Sequence, residues 1–514
     1  MIAKILSGTI TGVEGLAVDV EVDMGAGLPY FEIVGLPGSA VKESRERVRA
    51  ALKNSGYTMP PKRVTVNLAP ADVRKEGPSF DLPIAVGLLV SMGFIAAERV
   101  LGCFVTGELS LDGAIRPVSG VLPMAASLAL CGAKSCIVPP ENAQEAALVP
   151  DLAVYAPSSL AELVAHFGET PLDPQRPAAL VYAAGEAEQA GAGFRDIAEV
   201  KGQANAKRAL EIAAAGGHNM LMMGPPGSGK TMLAGCLTGI MPRLELDEAI
   251  EVGKIYSVAG LMKGSRAGLL RERPFRAPHH SSSYAAMVGG GRASRPGEIS
   301  LAHKGVLFLD ELPEFARNAL EALRQPMEAG EVTVARVGVP SVTYPAGFCL
   351  LAAMNPCPCG YAGTAGSGCT CSPAEVAKYL AKVSGPLLDR IDIQVEVQSV
   401  RYSDIDMSAA AGSGEASCVV RERVAAAALI QRQRYRGEGI TQNARLTPAQ
   451  LRTHCAIGRR EGEMLKLAFD TMRLSGRSYH KILKLARTIA DLAGRADISV
   501  EDITEAIGYR TFAK

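Results

Sequence analysis

A chain of 514 residues, 48% apolar and 21% charged, has globular composition and is too long for a single core; its length suggests about three domains. A formal net charge of +1 excludes binding to nucleic acid through bulk positive charge, although a locally basic channel stays open. Eleven cysteines with no targeting segment in view point to reduced thiols in a cytoplasm, and the longest uncharged runs, Leu82–Ala97 and Pro117–Ala133, are broken by Pro and Gly and too short to cross a bilayer.

Residues 1–168 alternate strand-like and helix-like runs, which predicts a first domain of α+β type. Strands are expected at Ala17–Val22, Val64–Leu68, Phe104–Thr106 and Ser135–Val138, and helices at Val41–Ser55 and Leu82–Met92. Residues 169–192, Pro-rich and then rich in Ala, Gly and Glu, read as a linker. Residues 193–400 carry an α/β nucleotide-binding pattern, and 401–418 read as a connector with an Ala/Gly/Ser stretch at Ser408–Ser417. Residues 419–514 are helical in pattern, closing with a pair around Lys481–Leu492 and Val500–Ile507.

The third of these segments holds the chemistry. An apolar run, Met220–Met223, precedes Gly224, Pro225, Pro226, Gly227, Ser228, Gly229, Lys230 and Thr231, and an apolar helix-like run follows. This is a phosphate loop in its strand–loop–helix context. Glycines let backbone N–H groups face phosphate oxygens, Lys230 reaches the β/γ-phosphates of ATP and Thr231 ligates Mg²⁺. The buried-strand run Gly305–Leu309 ends in Asp310 and Glu311, the form of a Walker B motif: Asp310 for the Mg²⁺ shell, Glu311 to polarise water. A third apolar strand, Phe348–Met354, ends at Asn355, placed to orient the same water. Phosphate loop, Asp-Glu, then Asn at a strand end is the order of AAA+ ATPases rather than of kinases or small GTPases.

Lys230 and Asp310 are 80 residues apart, so extra elements must lie between them. That insert holds His279 and His280. Neighbours in sequence tend to point apart, which argues against a shared metal and for a loop that lines a pore or senses nucleotide. It also holds Arg271, Arg273, Arg276, Arg292 and Arg295, candidate contacts to DNA phosphates in a ring channel. Cys357, Cys359, Cys369 and Cys371 form two Cys-x-Cys pairs around a Gly-rich loop; a Zn²⁺ site, free thiols and a redox disulfide all stay open, the one-residue spacing being tighter than usual for zinc.

The runs Arg273–Ser281, Arg295–Phe315, Ser384–Asp392 and Ser478–Leu492 resemble the magnesium-chelatase-like AAA+ ATPases of the ComM type, and the resemblance spans essentially the whole chain. It implies an ATP-hydrolysing homo-oligomeric ring, a hexamer, acting as a DNA helicase and branch-migration motor on transforming DNA. It also implies a helical lid in the C-terminal segment. Arg390 matches the arginine finger that reaches a neighbour's γ-phosphate; its structural alternative is a salt bridge to Asp389 or Asp392. Lys484 and Arg487 both fit the lid-domain sensor, Arg487 preferred for its planar guanidinium.

The first domain resembles the proteolytic domain of Lon. Lys75–Ser79 stands where Lon carries its nucleophilic serine, yet no lysine stands near Val121–Leu122, where the catalytic lysine belongs. A serine without a base is a poor nucleophile, so a scaffold is expected and an ATP-dependent protease disfavoured. Protein remodelling or metal insertion, as in magnesium chelatase, is the other alternative. The large N-terminal domain argues against metal insertion, on the expectation that chelatase motor subunits lack it.

Overall fold

A computed structural model of the chain describes residues 2–175, 195–262, 268–291, 295–336, 339–363, 368–399, 414–472 and 474–510. The first domain is built on a mixed seven-stranded sheet. Its strands are β1 (Ala3–Thr11), β2 (Glu14–Gly25), β3 (Tyr30–Val34), β4 (Arg63–Ala69), β5 (Cys103–Val105), β6 (Ser135–Ile137) and β7 (Ala153–Tyr155), in the order β3-β4-β2-β1-β5-β6-β7. In β2 the period of two is plain, with Val18, Val20 and Val22 buried and Asp19 and Glu21 on the other face. β1 was not anticipated, because its inward positions include the buried polar Ser7 and Thr9, which blur the alternation. Helices α1 (Ser39–Asn54) and α2 (Asp81–Ser91) stand close to the expected bounds. They are joined by Arg47, which donates to both oxygens of buried Asp81 at 2.7 and 3.0 Å.

The second domain carries a parallel five-stranded sheet of β8 (Met220–Met223), β9 (Phe275–Arg276), β10 (Val306–Leu309), β11 (Cys349–Met354) and β12 (Ile393–Glu396), in the order β9-β10-β11-β8-β12. β10 and β11 are buried at every position, which is why they read as unbroken apolar runs rather than alternating ones. Helices α4 (Ala204–Gly216) and α5 (Lys230–Ile240) flank β8 in the chain. Between α5 and β10 stand α6 (Leu246–Ala259), β9 and a short hairpin, Gly289–Gly290 with Arg295–Pro296, as the 80-residue interval required.

The C-terminal segment is helical: α7 (Ser417–Arg434), α8 (Arg459–Met472), α9 (Gly476–Leu492) and α10 (Val500–Gly508) share one core with α4, α5 and one face of the second sheet. Ser417, expected in the flexible connector, instead opens α7. Its amide donates to Asp196 Oδ1 at 2.9 Å and its hydroxyl accepts from the Ile197 amide at 2.9 Å. Most of the two expected linkers, residues 176–192 and 401–413, lies outside the described residues. Helix α3 (Val121–Leu130) of the first domain packs on α6 of the second, with Leu122, Val252 and Ile255 in a common apolar cluster. Among the described residues, no helix is long and apolar enough to cross a membrane.

Candidate active site at the carboxyl edge of the second sheet

Parallel pairing brings the ends of β8, β10 and β11 to one edge, where open α/β sheets bind ligands. Gly224 leaves β8 so close to β12 that a Cβ would lie 2.1 Å from the Val397 carbonyl oxygen; no other residue fits. Gly227 and Gly229 adopt left-handed φ of +75° and +87°, which turns Pro225–Gly229 into a loop capping α5. The Gly224 amide donates to the Met354 carbonyl at 3.2 Å and so ties the loop to the end of β11.

The side chains predicted to act together meet here. Lys230 Nζ donates to the Gly224 and Pro225 carbonyls at 2.7 and 2.9 Å and to Asn355 Oδ1 at 3.2 Å. Burial lowers its pKa, against the opposing charge of Asp310. Thr231 Oγ1 donates to Asp310 Oδ2 at 2.7 Å. A hydroxyl and a carboxylate at this separation fit a hard, oxygen-preferring Mg²⁺, so Thr231 and Asp310 would hold that ion. Asp310 Oδ1 accepts from the Glu311 amide at 2.9 Å, and Glu311 itself sits in left-handed backbone at φ +52°. One partner was missed in the sequence: His280 Nδ1 lies 3.1 Å from Glu311 Oε2. The expectation that His279 and His280 point apart is also corrected. In this irregular loop their ring centroids are 4.0 Å apart.

The other candidates lie elsewhere. Lys484 and Arg487 do not approach their own phosphate loop. Lys484 donates to the Ala444 carbonyl at 2.8 Å, and its neighbour Lys481 lies 3.4 Å from Asp392. Asp392 in turn accepts from the Asn219 amide at 3.2 Å, at the start of β8, whereas the phosphate loop leaves its end, roughly 13 Å away at the usual rise per strand residue. The preference for Arg487 as sensor is overturned: it is 2% exposed, and its guanidinium is held by Asp491 at 3.0 Å and by the Arg495 and Ala496 carbonyls at 2.6 Å each. Arg390 stands at the same far edge, its carbonyl accepting from Asn219 Nδ2 at 3.2 Å. Its guanidinium pairs with Glu328 and the Pro386 carbonyl, not with Asp389 or Asp392 as the structural alternative had it.

Of the arginines offered to DNA, Arg273 is buried against Glu248 at 2.9 Å and the Pro242 and Lys304 carbonyls at 2.7 Å each. Arg276 makes a bidentate pair with Glu298 at 2.7 and 2.8 Å. Both build the insert rather than line a channel, which corrects that expectation. Arg271 is exposed but has a partner, Arg295 is exposed on the short hairpin, and Arg292 lies outside the described residues.

Cys357, Cys359, Cys369 and Cys371 converge, their sulfurs all within 4.8 Å of one another, so the tight spacing is no obstacle. Three sulfur pairs measure 3.3, 3.5 and 3.8 Å, against about 3.8 Å between thiolates arranged tetrahedrally on zinc. Hydrogen bonds from the Tyr361 amide, then the Cys357 thiol, bring the Cys359 pKa down to about 6, while those of Cys369 and Cys371 beside it are raised, so the four thiols share their charge unequally. The cluster abuts the nucleotide site: a Cβ on Gly360 would lie 2.5 Å from Pro226 of the phosphate loop.

In the first domain, Leu122 occupies the place expected of a catalytic lysine and is buried in the interface with α6. Its amide donates to buried Glu145 at 2.9 Å, whose carboxylate also takes Asn142 Nδ2 at 2.9 Å and the Ser257 hydroxyl of α6. Lys75, four residues before Ser79 in the chain, is fully buried, its ammonium given to the Pro70 carbonyl.

Strand order, phosphate loop and the Asp-Glu and Asn strand ends together define an AAA+ P-loop ATPase fold. Comparison with known proteins narrows it. Residues 196–405 match the family described as magnesium chelatase, subunit ChlI; residues 414–510 match its C-terminal region; residues 20–142 match subunit ChlI of Mg-chelatase. The chain is 42% identical over 514 residues, 100% of its length and 98% of the relative's, to competence protein ComM of Haemophilus influenzae. It is 42% identical over 499 residues to YifB of Salmonella typhimurium, covering 97% and 95%. The chain belongs to the magnesium-chelatase-like ComM/YifB family. Likeness to Lon protease 2 of Bacillus subtilis is partial, 31% identity over 106 residues, 21% of this chain and 19% of that one. The match at residues 20–142 to a family described by a chelatase subunit also removes the argument that an N-terminal domain speaks against metal insertion.

Proposed function

We propose that the chain is the subunit of an ATP-hydrolysing ring, a hexamer, that moves on branched or single-stranded DNA as a helicase or branch-migration motor in recombination or natural transformation. The observation that carries the ATPase part is the meeting of Lys230 with Asn355 and of Thr231 with Asp310 at one sheet edge. Lys230 neutralises the β/γ-phosphates, Glu311 polarises the attacking water, Asn355 positions it, and Mg²⁺ supplies charge stabilisation when bound at Thr231 and Asp310. The DNA part draws on full-length likeness to a protein named for competence and on Arg295, exposed on the short hairpin.

A ring gives Arg390 its role. It stands at the edge opposite its own phosphate loop, so it meets a nucleotide only across a subunit interface, and so would Lys484. The helical C-terminal segment is the lid, the first domain is a Lon-like scaffold without proteolysis, and the four cysteines hold Zn²⁺ that braces the phosphate loop through Gly360 and Pro226. The setting is cytoplasmic. Metal insertion into a small molecule is the second reading, favoured by the chelatase description of the matching families. ATP turnover with and without forked DNA separates them: stimulation by DNA supports the motor, and a rate indifferent to DNA supports the alternative.

A further inference from the structure

β8 carries the phosphate loop at one end, and the residue before its other end holds the segment that presents Arg390. Met220 opens the strand opposite Leu351 of β11 on one side and Ile393 of β12 on the other. Asn219, just before it, engages each of its polar groups. Its carbonyl accepts from the Asp392 and Ile393 amides at 2.9 and 3.0 Å, and its amide donates to Asp392 Oδ2 at 3.2 Å. The side chain reaches both ways: Oδ1 accepts from the Leu350 amide at 2.8 Å, and Nδ2 donates to the Arg390 carbonyl at 3.2 Å. A short amide suits this place because it accepts on one side and donates on the other; aspartate lacks the donor and alanine lacks both.

The rest of the segment is held as firmly. The Ile391 carbonyl accepts from Lys481 Nζ of α9 at 2.9 Å and from Arg510 Nη1 at 2.8 Å. Beside Asn219, the fully buried His218 ring lies between the Thr488 hydroxyl of α9, 2.8 Å from Nε2, and Asp392 Oδ2, 3.5 Å from Nδ1. The backbone of residues 390–393 is thus tied to the foot of β8 and to the helical C-terminal segment. The Arg390 guanidinium, by contrast, rests on the exposed carboxylate of Glu328 and on the Pro386 carbonyl. A bond to the carbonyl of residue 390 fixes where the long side chain starts and leaves its charged end free to change partners.

We propose that Asn219 is a positioning residue for Arg390: it pins the base of the finger to the strand that carries the same subunit's phosphate loop. Two neighbouring sites of the ring are then joined through one strand of four residues, Met220–Met223. This rests on Arg390 acting at the next subunit's nucleotide. Releasing the pin lets the guanidinium start from the wrong place, and a misplacement of about 1 Å costs up to about a hundred-fold in rate.

The test is nucleotide binding and ATP hydrolysis by assembled full-length protein carrying Asn219→Ala, alone and mixed with Lys230→Ala or Arg390→Ala protein. Alone, Asn219→Ala should bind ATP with unchanged affinity and lose roughly ten- to a hundred-fold in kcat, less than the roughly 10³ expected for Arg390→Ala. Mixed with Lys230→Ala it should regain turnover, because its intact loops then meet intact fingers. Mixed with Arg390→Ala it should regain none, since neither protein supplies a working finger. A residue that merely shaped its own phosphate loop would give the reverse, rescue with Arg390→Ala and none with Lys230→Ala. That reverse pattern, rescue by both or by neither, or a wild-type rate in Asn219→Ala overturns the positioning role while leaving the finger in place. If Lys230→Ala and Arg390→Ala fail to rescue each other, the finger reading itself falls, and this role with it. Should Asn219→Ala fail to fold, Asn219→Asp, which keeps the acceptor for Leu350 and loses the donor to Arg390, takes its place with the same expected pattern and the same overturning results.

Discussion

Thr231 Oγ1 donates to Asp310 Oδ2 across 2.7 Å, joining the first turn after the phosphate loop to the end of a strand two places away in the sheet. The contact sets a hydroxyl and a carboxylate side by side where Mg²⁺ would be held between loop and strand. It separates binding from turnover: Lys230→Ala should abolish ATP hydrolysis, whereas Glu311→Gln should bind ATP with near-normal affinity and hydrolyse it at least roughly a hundred-fold more slowly. Nucleotide-binding titration beside a phosphate-release assay checks both, and a wild-type rate in Glu311→Gln would contradict the Walker B assignment.

Arg390→Ala should leave nucleotide binding intact and cost roughly 10³ in rate, the usual worth of an arginine finger. Because the finger would act on the next subunit, mixing Arg390→Ala with Lys230→Ala protein should restore partial turnover at interfaces that pair an intact loop with an intact finger. Absence of rescue at every mixing ratio would place Arg390 in a structural role with Glu328.

Elemental analysis of the purified protein should find one zinc per chain. Chelation, or Cys359→Ser with Cys369→Ser, should lower the melting temperature and weaken nucleotide binding, since Gly360 packs on Pro226 of the phosphate loop. A zinc-free protein with four titratable thiols at Cys357, Cys359, Cys369 and Cys371 would remove the metal.

Glu251 of α6 links the insert to the residues just before β10: His303 Nε2 lies 2.9 Å away and Lys304 Nζ 3.4 Å. His303, opposed by burial, brings the Glu251 pKa down to about 2 from an ordinary 4.5. A depressed folded pKa means the stabilisation is complete above about 4.5 and lost as pH falls toward 2. Glu251→Gln should therefore lose less melting temperature between pH 5 and pH 3 than wild type. Equal losses would show that this pairing does not carry acid sensitivity.

Much of the site could be read from the residues because its parts are contiguous: one loop, one strand end with Asp310 and Glu311, one strand end with Asn355. Buried parallel strands announce themselves as apolar runs, so the edge where these parts meet followed. Contacts between segments distant in sequence were not legible. His280 reaches Glu311 only because a two-residue strand, too short to recognise, pairs with β10. Arg487 looks like a sensor on one helix and is a buried tie within the helical segment, a role set by Asp491 and two carbonyls. Arg273 and Arg276 carry charge in a suggestive place, and only the fold reveals Glu248 and Glu298 beside them. The four cysteines were judged on spacing, whereas the turn at Gly360 brings their sulfurs together.

The central claim, an ATP-driven motor on DNA, is tested most directly by strand displacement on a forked substrate. Assembled wild-type protein with ATP should separate the strands and hydrolyse ATP faster when the fork is present; Lys230→Ala protein should do neither. Binding should weaken linearly in a log–log salt plot, with Arg295→Ala lowering the slope by roughly one. No displacement and no DNA-stimulated turnover on forked, three-stranded or four-way substrates, from a ring that still hydrolyses ATP, would contradict the account.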